Sequence, residues 1–168
     1  MKRLMRKDLI IHRRIYHGKK GIYYLSRDGA SFTDLPILDS VPENKYKHQL
    51  AVIDLYIKLK KSYPDAYWLS ERWLMKDRSK ADVKEKKHMP DGLLIFPDGR
   101  QIAIEVELTL KGKKRLTNIF KSYGSQFQIS EVWYFCATPL IGLLNNLAEK
   151  KPYIKIYSLD KILNESAQ

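Results

Sequence analysis

The chain of 168 residues has a single cysteine, Cys136, which rules out an intrachain disulfide framework and points to a reducing, cytoplasmic setting. It has no apolar run near the length of about 18 residues that a membrane-spanning helix needs, and no signal peptide is legible. No internal repeat is present. Acidic residues are scarce, with 19 Asp and Glu against 31 Lys and Arg, a net charge of +12 and a pI near 9.6. A surplus of this sign calls for a polyanionic partner, and nucleic acid is a better match than an acidic membrane surface. The length suits one domain with a small appendage, divided as residues 1–38 and 39–168.

The few acids are concentrated where they matter. Residues 88–111 read His-Met-Pro-Asp-Gly, then Leu-Leu-Ile-Phe, then Pro-Asp-Gly-Arg, then Gln-Ile-Ala-Ile-Glu-Val-Glu-Leu-Thr-Leu-Lys. An apolar run, a turn signal and an alternating run predict a β-hairpin. In its second strand Ile102, Ile104, Val106 and Leu108 share one face, and Ala103, Glu105 and Glu107 the other. Pro97 suits the second position of a type I turn and Gly99 the positive φ that follows. That three-residue loop pairs Phe96 with Arg100 and, counting back, Asp91 with Glu105. Asp91, Glu105 and Glu107 then converge, whereas a two-residue turn would send Asp91 to the face of Val106. Converging carboxylates repel unless a cation lies among them, and a hard ion such as Mg²⁺ takes oxygen ligands of this kind. Solvated charge on an edge hairpin is the plainer alternative.

The order helix, strand, Pro-Asp hairpin, Glu-x-Glu, helix, strand resembles the PD-(D/E)xK nuclease superfamily. More narrowly, His88-Met89-Pro90-Asp91-Gly92 followed by Glu105-Val106-Glu107-Leu108-Thr109-Leu110-Lys111 resembles the replication-relaxation family of plasmid and mobile-element proteins, over roughly residues 16 to 160. The resemblance implies an α/β fold, a restriction-endonuclease-like mixed central sheet flanked by helices. It implies DNA as partner, with a relaxase or replication initiator as a further one and a resolvase-like homodimer as an alternative assembly. It also implies Mg²⁺ or Mn²⁺ held by Asp91, Glu105, Glu107 and an upstream acid, Glu71, with catalysis by Asp91, Glu105, Glu107 and Lys111. The chain departs from the superfamily at Glu107, where lysine is usual. Lys111, four residues on, would then be a displaced lysine. Without it, the same fold would be a binding module that recruits its partners and does no chemistry.

Elsewhere the sequence is plainer. Residues 9–16 and 22–26 flank a basic, glycine-bounded turn and predict a second hairpin with Lys19 and Lys20 at its tip. It resembles the wing of a winged helix, a phosphate-contacting device, though only residues 1–8 precede it. Ser40 and Glu43 form a capping box for a helix to about Ser62, with Leu50, Ile53, Ile57 and Tyr46 as its buried stripe. His48 lies on that helix, as a structural residue or as a phosphate or site contact. Residues 66–74 predict a strand and 76–87 a solvated loop. A helix over 112–126 opens with Lys111, Lys113, Lys114 and Arg115, cations placed where the helix dipole disfavours them, which suits phosphate contact. Asn118, Tyr123 and Gln126 are weaker contact candidates. A buried strand over 131–137, a helix over 138–149, an edge strand over 152–157 and a last turn over 159–163 complete the chain.

Overall fold

The computed structural model describes residues 1–18, 21–34, 36–80 and 88–164. They form two compact units, residues 1–46 and 47–168.

The first unit contains α1 (Lys2–Arg6), β1 (Ile10–Arg13), β2 (Ile22–Leu25) and α2 (Arg27–Ser31). β1 and β2 are antiparallel, with Ile10 opposite Leu25 and Arg13 opposite Ile22. The expected hairpin is therefore present, with strands shorter than the sequence implied. His12 stacks on Tyr23, its cross-strand partner, at 4.6 Å. Ser26 caps α2 by accepting the Gly29 N–H at 2.9 Å. The residues expected at the hairpin's cationic tip, Lys19 and Lys20, lie outside the described residues. α1, which precedes the hairpin, is five residues long with none buried.

The second unit is mixed α/β. Its elements are α3 (Tyr46–Ser62), β3 (Tyr67–Ser70), α4 (Glu71–Lys80), β4 (Gly92–Ile95), β5 (Gln101–Glu107), α5 (Lys113–Gly124), β6 (Glu131–Cys136), α6 (Ile141–Ala148), β7 (Ile154–Ser158) and α7 (Leu159–Asn164). The five strands stand in the order β3-β4-β5-β6-β7. β3 with β4 and β4 with β5 are antiparallel pairs, while β5 with β6 and β6 with β7 are parallel. The sheet thus changes sense at β5.

Helices cover both faces of this sheet. Leu116, Ile119, Phe120 and Tyr123 form one stripe of α5 at the i, i+3, i+4, i+7 spacing of a helix face. They pack with Leu144 and Ala148 of α6 on Ala103, Val132, Tyr134 and Cys136. On the other side Leu55 and Leu59 of α3 and Leu159 of α7 pack on Leu94, Ile102, Ile104, Val106 and Phe135. Parallel strands enclosed in this way bury both faces.

Four local expectations are corrected. The helix expected from Ser40 begins at Tyr46, after a 3-10 turn at Glu43–Lys45 whose cap position is Pro42, so Ser40 caps nothing. Its buried stripe is Leu55 and Leu59 with Ala51 and Val52, while Ile53 and Ile57 are half exposed. Both sets obey helical spacing, and periodicity alone could not choose between two apolar faces. Finally, the strand expected over 66–74 stops at Ser70. Its partner β4 begins at Gly92, opposite Ser70, and Pro90 has no N–H to extend the ladder. Ser70 Oγ instead accepts the Trp73 N–H at 3.4 Å, starting α4 as a serine cap does. Residues 76–80, expected in a loop, continue that helix; residues 81–87 lie outside the described residues.

Candidate carboxylate site

The hairpin of β4 and β5 turns as its residues demand. Phe96 N–H donates to Arg100 O at 2.9 Å and Gly99 N–H to Phe96 O at 2.9 Å. Gly99 takes φ +85°, the left-handed conformation that only glycine adopts freely. Gly92 lies opposite Ile104, so Asp91 is directly across from Glu105, one step beyond the last ladder pair. Gly92 itself is required by packing, because a Cβ there would stand 2.1 Å from the Trp68 ring.

Asp91, Glu105 and Glu107 do not project into open solvent. The Glu face of β5 is the face α5 covers, and Glu105 and Glu107 are only 2% and 3% exposed. Each carboxylate has internal partners. Asp91 Oδ2 accepts the Val106 N–H at 2.8 Å, extending the ladder past Pro90. His48 Nε2 lies 3.0 Å from Val106 O and 3.2 Å from the same Asp91 oxygen. Both neighbours are acceptors, so Nε2 carries the proton. Asp91 and His48 therefore bracket one residue of β5, Val106, at its N–H and its C=O.

Glu105 is held from the opposite side. His88 Nε2–H donates to its Oε1 at 2.7 Å, and the Tyr123 hydroxyl donates to the same oxygen. Tyr134 is its register partner on β6, with a buried hydroxyl that has no hydrogen-bond partner among the described residues. Glu107 Oε2 stands 2.9 Å from Lys111 Nζ in an i, i+4 ion pair, without the alignment of a hydrogen bond. The lysine thus reaches the second carboxylate of the Glu105-Val106-Glu107 run.

The electrostatics follow from this packing. Hydrogen bonding to Asp91 holds the His48 imidazole above its ordinary range, against burial and the Lys111 charge. Burial pushes the Glu105 carboxyl up and the Asp91 charge adds to the rise, although His88 and Tyr123 oppose it. Tyr123 and Tyr134 are pushed up by burial first and then by the Glu105 charge. Both stay neutral. Cys136, pushed up to about 11 chiefly by burial, is no nucleophile.

The other sequence-derived candidates divide. Glu71 is the first residue of α4, and its N–H donates to Asp91 O at 3.2 Å, which sets it across the sheet from Asp91. Lys113, Lys114 and Arg115 are exposed in the first turn of α5. Lys114 and Arg115, with His88, Asn118 and Ser122, line a cleft of about 620 Å³. His88 closes one end of the carboxylate site and also faces this cleft. His88 belongs to the His-Met-Pro-Asp-Gly motif but has no expected role from sequence, and Tyr123 is expected there only as a weaker phosphate or base contact. The signals were the His-x-Pro-Asp spacing and the seven-residue interval from Leu116 to Tyr123, which put the tyrosine on the buried stripe.

Among the described residues no group of three His, Cys, Asp or Glu side chains is arranged to hold a metal ion. Asp91 Oδ1 and Glu105 Oε2 take no hydrogen bond among those residues. Two such oxygens suit Mg²⁺, which commonly binds one or two carboxylates and fills its remaining positions with water. Glu107 does not fit that set while Lys111 neutralises it. No family model, curated protein or solved structure matches the chain.

Proposed function

We propose that this chain is a DNA-binding protein of plasmid or mobile-element replication or mobilisation, with a nuclease-like site that cleaves phosphodiester bonds with the aid of Mg²⁺ or Mn²⁺. The observation that carries the reading is the run Asp91, Glu105, Glu107–Lys111 along one end of β5, with a cationic cleft beside it. The mixed sheet flanked by helices agrees with the restriction-endonuclease-like fold the resemblance implies, and the hairpin of the first unit agrees with a wing. Asp91 and Glu105 would hold the ion, which supplies charge neutralisation at the phosphate and a more acidic bound water. Lys111 would stabilise negative charge developing on the phosphate, and Glu107, released by that movement, would accept a proton. Lys114 and Arg115 would seat the flanking backbone.

A second reading has its own support. Every carboxylate of the site already has an internal donor or cation, as expected of a fold that docks DNA and recruits a relaxase or initiator without chemistry. One experiment separates the two. Supercoiled, single-stranded and branched DNA is incubated with Mg²⁺ or Mn²⁺, and thermal unfolding is followed with and without the ion. Cleavage lost in Lys111→Ala, with an upward thermal shift lost in Glu105→Ala, supports the nuclease. A bound ion stabilises the fold by mass action, so a shift without cleavage supports the binding module. Neither shift nor cleavage removes the metal.

A further inference from the structure

A smaller cleft of about 210 Å³ adjoins the carboxylate site, lined by Leu74, Met89, Pro90, Leu93 and Ile129, by Gln101, Gln126 and Gln128, and by His88 and Arg78. His88 is common to this cleft and to the cationic one. The wall between them is braced by Ser122, whose Oγ accepts the His88 N–H at 3.4 Å and whose carbonyl accepts Gln126 Nε2–H at 3.3 Å. The two clefts differ in chemistry. One is open and presents Lys114, Arg115, Asn118 and Ser122, a setting for a phosphate. The other has a leucine, methionine and proline floor with three glutamines around it and a single arginine, Arg78. An amide offers both donor and acceptor, as the hydrogen-bonding edge of a nucleobase does.

We infer that the paired clefts bind one unpaired nucleotide of a DNA strand, its phosphate against Lys114 and Arg115 and its base among Met89, Pro90, Leu93, Gln126 and Gln128. This deepens the DNA-binding reading and rests on it, because it names the substrate class as DNA with an unstacked base. A base inside an intact duplex cannot enter such a pocket without leaving its stack, at a cost least for a base that is already unpaired. The small cleft has the volume for one base and not for a base pair. The site therefore selects bulges, gaps and single strands over perfect duplex. His88, donating to Glu105 at 2.7 Å, would place the bound nucleotide's phosphate next to the carboxylates.

The test uses the whole chain and three matched hairpin DNAs: a perfect duplex, one with a single bulged 2-aminopurine, and one with an abasic bulge of the same backbone. Affinity is measured by anisotropy, and base environment by 2-aminopurine fluorescence. The expected result is binding of the base-containing bulge about tenfold tighter than the abasic one, the size of one stacked or hydrogen-bonded base, with a changed 2-aminopurine signal. Gln128→Ala with Met89→Ala should bring the two bulges to within about twofold, while Lys114→Ala with Arg115→Ala weakens all three DNAs alike. Circular dichroism establishes that each variant is folded. Equal affinity for both bulges and the duplex, with unchanged 2-aminopurine fluorescence, overturns the inference and leaves DNA binding intact. Absence of binding to any of the three at low salt overturns both.

Discussion

Replacing Asp91 should cost folding stability even where no metal or DNA is present. The carboxylate accepts the N–H of Val106 at 2.8 Å, and Val106 is 1% exposed, so alanine leaves a buried donor with no partner. A hydrogen bond to a charged acceptor, lost from one side only, is worth about 1.5–3 kcal/mol. At about 3 °C per kcal/mol for a domain of this size, the midpoint should fall by about 5–9 °C. Asp91→Asn separates the causes. Its amide oxygen, in the place of Oδ2, still accepts from both Val106 and His48 but no longer carries the negative charge, and the expected loss is about 1 kcal/mol. The assay is urea unfolding followed by tryptophan fluorescence, since Trp68, Trp73 and Trp133 all lie in the second unit. A pH series adds an independent readout. His48 is raised in the fold chiefly by Asp91, so its contribution is fully present below the unfolded imidazole value of about 6.5. It is lost as pH rises through the folded value. The gap between parent and Asp91→Asn should therefore narrow from mildly acidic to alkaline pH. A loss under about 0.5 kcal/mol in Asp91→Ala, within the range of ordinary surface substitutions, would refute the bracketing of Val106.

Three further outcomes test the rest of the site. Lys111→Ala should destabilise the fold by about 1–3 kcal/mol, because Glu107 stays buried without its cation, and adding Glu107→Gln should recover most of that loss in the same urea assay. Glu105 is raised by burial, so its contribution is present below the unfolded carboxyl value of about 4.3 and declines as pH rises through the folded one; Glu105→Gln should gain stability relative to the parent over that window, and a flat difference would disprove the shift. DNA affinity should fall steeply with salt, and Lys114→Ala with Arg115→Ala should reduce the slope of log K against log salt by about 2, whereas a slope near zero in the parent would exclude phosphate contact as the main interaction.

The register of the β4–β5 hairpin was legible because two residues decide it. Pro97 fixes one turn angle and Gly99 supplies the positive φ, and once Phe96 faces Arg100 the parity of the strand puts Asp91 across from Glu105. The alternation of Ile102, Ile104 and Val106 with Ala103, Glu105 and Glu107 was legible for the same reason. What covers each face was not. Alternation reports two faces of different polarity, and a polar face ordinarily reads as the wet one. Here α5 lies over it, a relation set by how β5, α5 and β6 connect and not by any residue of β5. The partners of the carboxylates were hidden for a similar reason. His48 comes from a helix 43 positions before Asp91, and Tyr123 from one 18 positions after Glu105. Lys111, four residues on from Glu107, could be found by spacing, whereas no local spacing links His48 to Asp91.

The change of strand direction at β5 accounts for the position of the site. β4 and β5 are antiparallel, so the start of β4 and the end of β5 lie at one edge of the sheet. β6 and β7 run parallel to β5 and end at that edge too. Backbone pairing on the β4 side lapses there, because Pro90 ends the ladder. Side chains take over the two backbone groups that Val106 turns to that side, Asp91 at its N–H and His48 at its carbonyl. The acidic lining of the site is offset from within by His48 and Lys111. The charge surplus of +12 therefore resides in the remaining lysines and arginines, Lys114 and Arg115 at the adjoining cleft among them, where a phosphate backbone would meet it before reaching the carboxylates.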